Sequence, residues 1–140
     1  MRGQDLIPIH KFHIPGLIIG HHIEPGKYEK IASQIDMAPT LLDLMGISSY
    51  HPLIGRPLLS LPDGISGRAI MQYGTTHAFM VDNQVIIHRP RLEPLQFTRK
   101  DGRLIQSEID SELLNSALAH ALLPGYLYYN RLYFLPNGGT

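Results

Sequence analysis

The chain contains no cysteine, which excludes disulfides, thiolate metal sites and a cysteine nucleophile but leaves the redox compartment open. It has no excess of either charge: twelve basic and twelve acidic side chains cancel, so neither a basic face for nucleic acid nor an acidic disordered tail is indicated. No run reaches the roughly 18 apolar residues of a membrane span, and no signal-peptide order of charged, apolar and small-residue regions is read at the N-terminus. There is no internal repeat. What the chain does have is punctuation. Eleven prolines and thirteen glycines in 140 residues stand between short apolar runs, which predicts many short elements joined by tight loops. At this length one structural unit is expected.

Ile14 to Gly20 is an apolar run bounded by Pro15-Gly16 and Gly20, the pattern of a strand buried on both faces in a parallel sheet; Leu17 to Gly20 is its expected core. Pro25-Gly26 then marks a solvated turn. A helix is predicted from about Met37 to Met45: Asp36 can cap it by accepting backbone N–H groups, Pro39 fits its first turn, and Gly46 suits its C-terminus. Met37, Leu41, Leu44 and Met45 recur at helical spacing, so this stripe is expected to pack on the sheet with Asp43 facing water. Tyr50 to Gly67, broken by Pro52, Gly55, Pro57 and Pro62, reads as an ordered connection pinned by leucines.

From there the period changes to two. Arg68 to Tyr73 reads as a strand. Ala78 to Val81 and Gln84 to His88 read as a hairpin turning at Asp82-Asn83, and Leu95 to Arg99 and Arg103 to Gln106 as a second turning at Asp101-Gly102. Leu113, Leu114, Ala117, Leu118, Ala121 and Leu122 then repeat with helical period after Asp110, until Pro124-Gly125 is expected to interrupt them. Tyr126 to Tyr133 offers amphipathic rings for packing or for a partner, and residues 136–140 are expected to fray.

The order Ile14-Pro15 through the apolar run, then Ala32-Ser33-Gln34-Ile35-Asp36-Met37-Ala38-Pro39-Thr40-Leu41-Leu42-Asp43-Leu44-Met45-Gly46-Ile47, then Ile54-Gly55-Arg56-Pro57-Leu58-Leu59, resembles the sulfatase branch of the alkaline-phosphatase-like superfamily. That branch carries an apolar strand, a "S-Q-x-D-x-x-P-T-L-L-D-L-x-G-I" segment and a "G-x-x-L-L" loop in this order. The likeness spans about Lys11 to Leu59, with Gly16 standing where many members have a bulkier residue. Within the branch the chain is most similar to membrane-anchored phosphoglycerol transferases, relatives of lipoteichoic acid synthase.

The resemblance implies an α/β fold: the C-terminal part of an alkaline-phosphatase-like sandwich, with one or more parallel-sheet strands under a covering helix, then a small antiparallel sheet and a terminal helix. Residues 1–62 would close the α/β core, and residues 63–140 would form the hairpins and helix of the same unit. It also implies a parent enzyme that uses a divalent metal (manganese, calcium, magnesium or zinc) and a hydroxyl or formylglycine nucleophile on an anionic ester or phospholipid-type substrate. The parent would sit in a bacterial inner membrane with its catalytic part periplasmic or extracellular. The family's nucleophile and Asp-His metal pair precede the matched segment, and neither an Asp-His dipeptide nor a Cys-x-Pro-x-Arg signature occurs in this chain. No catalytic residue and no metal ligand are therefore assigned here, and the missing N-terminal part of the parent is the expected partner.

Eight histidines invite a metal assignment, since neutral imidazole is a common ligand. His10 and His13, just before the apolar run, are the candidates for a substrate rim, where an imidazole can donate to an ester oxygen. His21 and His22 are adjacent, so in extended chain they point apart and do not chelate one ion. Asp36 is explained by capping. Among the arginines that can fork an anion, Arg68 beside Gly67 is the third rim candidate; Arg56, Arg89 and Arg91 read as surface residues, and Ser48-Ser49 as a turn. Three readings follow. The chain is an inactive scaffold for the active-site edge of such an enzyme, a non-catalytic binding or structural module of the same fold, or a stand-alone hydrolase built on its histidines. The scaffold reading also predicts self-association through exposed strand edges.

Overall fold

The computed structural model describes residues 3–133. Five strands follow one another and pair in chain order: β1 (Arg68–Tyr73), β2 (Thr76–Val81), β3 (Gln84–Arg89), β4 (Leu92–Lys100) and β5 (Arg103–Ser107). Helices α1 (Gly3–Leu6), α2 (Met37–Leu44) and α3 (Ser111–Tyr129) lie outside this sheet. Every strand pairing is antiparallel, as short connections require. The turns contain the left-handed backbone of tight hairpins: φ is 60° at Gly74, 50° at Asp82, 59° at Arg91, 48° at Asp101 and 75° at Gly102. Both expected hairpins are present, set within a longer meander. β4 begins at Leu92 rather than Leu95. The register shifts between Ile87 and Arg89 of β3, and such an irregularity accommodates Pro94, which has no N–H to offer a ladder.

Strand alternation divides the apolar side chains between two faces. One face gathers Met71, Ala78, Met80, Val85, Ile87 and Phe97 around Ile7, with Leu6, Ile9, Phe12 and Ile31 closing over them. The other sets Phe79 and Ile86 against Ala117 of α3, flanked by Ile70, Val81, Leu113 and Leu114. Val85, Ile86 and Ile87 are fully buried, each such side chain contributing about 1.5–3 kcal/mol.

α3 starts where the sequence predicts, because the Asp110 carboxylate accepts from Glu112 N at 2.9 Å and Leu113 N at 3.1 Å. It does not stop at Pro124-Gly125. Proline deletes one ladder bond, but the helix continues to Tyr129. It ends where Arg131 takes φ 55° and Leu132 N returns to Leu127 O at 2.9 Å, a C-terminal arrangement that closes the last turn.

Two expectations for the N-terminal half are corrected. Residues 14–20 form no strand: among the described residues the segment enters no strand pairing, and Ile14, Leu17 and Ile19 are 68%, 82% and 85% exposed. α2 forms as predicted, yet Leu41, Leu44 and Met45 are exposed, and its buried residues are Pro39 and Thr40. One cause explains both. A two-face-buried strand and its covering helix need a parallel sheet, and the described residues contain only the antiparallel one. The residues of the expected fray beyond 133 lie outside the described residues.

Candidate functional site

Where β1, α2 and the loop before β1 meet, the chain buries a set of polar groups that an ordinary core would exclude. It begins in the tight turn Gln34–Asp36, which leads straight into α2. Ser33 N donates to Asp36 Oδ2 at 2.9 Å, so the carboxylate folds back over the turn that carries it. Asp36 Oδ1 accepts from Arg56 N at 2.8 Å and lies 3.4 Å from Arg68 Nη2. Arg68 Nη2 also donates to Ile54 O at 3.2 Å. Asp36 is 0% exposed and Arg68 5%. Burial lowers the Arg68 pKa, Asp36 opposes that shift, and neighbouring Arg56 adds to it; an arginine nonetheless stays charged.

Two hydroxyls complete the set. Ser33 Oγ donates to Arg68 O at 3.3 Å and accepts from Ile70 N at 2.8 Å, joining the turn to β1. Thr40 Oγ1 donates to Asp36 O at 2.6 Å and accepts from Leu58 N at 3.0 Å, joining α2 to the loop. The backbones come close because two glycines allow it. A Cβ on Gly55 would stand 2.7 Å from the Ile35 carbonyl carbon, and one on Gly67 2.5 Å from Ile31 N.

This geometry revises the part of Asp36. Its side chain makes no capping bond to α2; it instead pulls the loop and β1 onto the turn. The set is a structural lock, since the carboxylate oxygens already face two backbone donors and a guanidinium. Arg68, expected at a substrate rim, is the buried cation of that lock. His10 lies elsewhere, exposed on a tight turn (Ile9–Phe12), where it lines a cleft of about 290 Å³ with Ile7, Pro8, Ile9, Arg99, Gly102 and Leu104. His13 is exposed just after that turn. The three rim candidates therefore do not converge on one cavity in the described residues. Sequence reading missed Ser33, Thr40, Gly55 and Gly67. The Ser-x-x-Asp spacing at 33–36 was a signal for the first of these, while the glycine contacts depend on long-range approach.

Among the described residues no group of three or more histidines and carboxylates is placed to hold a metal ion. Asp36, the one fully buried carboxylate among the described residues, is already engaged. The described residues thus do not fit the divalent metal that the resemblance implies.

No protein-family model matches the chain. A solved structure of a protein in the alkaline phosphatase superfamily from Vibrio parahaemolyticus superposes with a TM-score of 0.87 and 33% sequence identity, over 93% of this chain. The architecture is thus a small α/β unit with a five-stranded antiparallel sheet and a terminal helix. More particularly, the chain has the fold of part of an alkaline phosphatase superfamily protein, and the identity supports that superfamily for it. The chain spans about a third of that protein's length, 32%.

Proposed function

We propose that the chain is a non-catalytic part of a metal-dependent enzyme of the sulfatase or phosphoglycerol-transferase kind, acting as scaffold for the edge of an active site whose metal and nucleophile lie in the rest of the parent. The observation that carries this reading is the uncovered apolar surface of residues 14–20 and α2, in a chain that matches only a third of a larger protein. An unpaired segment with leucine and isoleucine facing water suits a strand that pairs with a sheet outside the described residues. The lock at Asp36 holds α2 rigidly to the antiparallel unit, so a sheet that docks on α2 would be fixed relative to β1 and the loop before it.

Substrates of the parent would be sulfuric or phosphoric esters, phospholipid-type esters among them. When bound, a divalent metal would supply Lewis-acid activation of a hydroxyl and charge stabilisation on the transferring group. An inner-membrane parent with an external catalytic part belongs to the same reading; no helix of the described residues is long and apolar enough to cross a membrane.

Calorimetric titration of the purified chain with manganese, calcium, magnesium and zinc, run beside hydrolysis assays on aryl phosphate and aryl sulfate, tests the assignment. The expected result is no stoichiometric binding and no turnover. One tight site, abolished by His10→Ala with His13→Ala, would replace the scaffold reading with that of a self-contained metalloprotein.

A further inference from the structure

The sheet face beneath α3 concentrates imidazole. His77 on β2 and His88 on β3 are register partners, and by strand alternation they share the face of Phe79 and Ile86 that packs on Ala117. From the helix side, the His120 ring stacks on Phe79 with centroids 4.6 Å apart, and its Nδ1 lies 2.8 Å from Ser116 O. His77 and His120 line one cleft of about 220 Å³ between sheet and helix, with Pro124 also lining it. The Leu114 backbone of α3 lies beside the His88 ring, whose Nε2 is buried without a hydrogen-bond partner.

Among the described residues no carboxylate is ion-paired with these rings. Helix α3 carries Glu112 in its first turn and no Asp, Glu, Lys or Arg from Leu113 to Asn130. β1 presents Gln72 opposite His77. On β3 the adjoining charge is the cation Arg89, and on β4 Glu93 is exposed. No imidazole is ion-paired among the described residues. A proton added to His88 therefore enters a half-buried, apolar, imidazole-rich space with no ion-paired carboxylate to receive it, and the neighbouring His77 opposes it.

We propose that His88, set beside His77, makes α3 a pH-sensitive strap, packed on the sheet at neutral pH and loosened as His88 takes up a proton, which uncovers the Phe79 and Ile86 face. The direction of titration agrees. Burial, then the proximity of His77, lowers the His88 pKa, with the Leu114 backbone opposing. With a lowered pKa in the packed state, the released state binds the proton more readily. The packed state is therefore unpenalised above the ordinary histidine value of about 6.5 and loses stability as pH falls below it, until His88 titrates in place.

Hydrogen exchange of the whole chain, corrected for intrinsic rates and compared at about pH 7.5 and about pH 5.5, reads this directly. The expected result is a loss of protection in α3 approaching about tenfold, with strands β3 and β4 changing less, a loss of about threefold or less in His88→Gln, and an intermediate loss in His77→Gln, which leaves the burial of His88 in place. If both variants keep the full drop, or if wild-type α3 keeps its protection at the lower pH, the strap does not exist. Should His88→Gln fail to fold, an NMR titration of the wild-type protein decides without any variant: His88 must titrate below the ordinary histidine value of about 6.5, and titration at or above that value overturns the proposal.

Discussion

Replacement of Asp36 by alanine is expected to lower the unfolding free energy by about 3–5 kcal/mol, the range for breaking one side of a buried ion pair. The carboxylate is fully buried and serves Ser33 N, Arg56 N and Arg68 at once. Its removal leaves a guanidinium in the interior that still donates to Ile54 O, and it orphans two backbone donors. Arg68→Met is expected to cost less, about 1–3 kcal/mol, because Asp36 keeps both backbone partners while the methionine fills part of the space. The two changes combined should cost less than their sum, since the second removes the charge that the first strands. Urea unfolding followed by circular dichroism measures all three. Near-neutral behaviour of Asp36→Ala would show that the lock does not hold the chain together.

The second large effect is expected at two small residues. Gly55→Ala and Gly67→Ala should each destabilise by about 3 kcal/mol or more, or prevent folding, because backbone rather than a flexible side-chain tip meets the new methyl. At Gly55 the obstacle is the Ile35 carbonyl and Asp36 Cα, and at Gly67 the main chain of Ile31. Those segments are also held by the lock, so a shift that relieves the clash must strain the Asp36 bonds. Gly125→Ala is the matched control. It has open space around its added carbon and lies inside α3, so it should stabilise by about 0.5–1 kcal/mol through helix propensity. Thermal unfolding of the three variants separates the cases, and equal small effects at all three would refute the close-approach argument.

What was legible in the sequence was local. Asp101-Gly102 announced a turn, and both residues adopt positive φ; Asp110 announced a helix start, and its carboxylate makes the bonds. The strand of residues 68–73 was legible to its ends. What was not legible depends on partners far along the chain. Asp36 looked like the cap of α2 because its helix is the nearest source of N–H groups, whereas Arg56 N, 20 residues on, takes one oxygen. Arg68 looked like an anion fork because nothing local marks it as buried. Pro124 looked like a stop, yet the helix carries on past it. Residues 14–20 looked like a core strand by composition, and among the described residues they pair with no strand.

That last point leads to the most direct test of the account, which is the solution state of the chain on its own. Sedimentation velocity over a range of concentrations is expected to show self-association driven by the uncovered apolar surface, weakened when Leu17→Lys and Ile19→Lys place charge on it. A monomer at every concentration that unfolds cooperatively would contradict the scaffold reading and establish the chain as a self-sufficient module of the same fold.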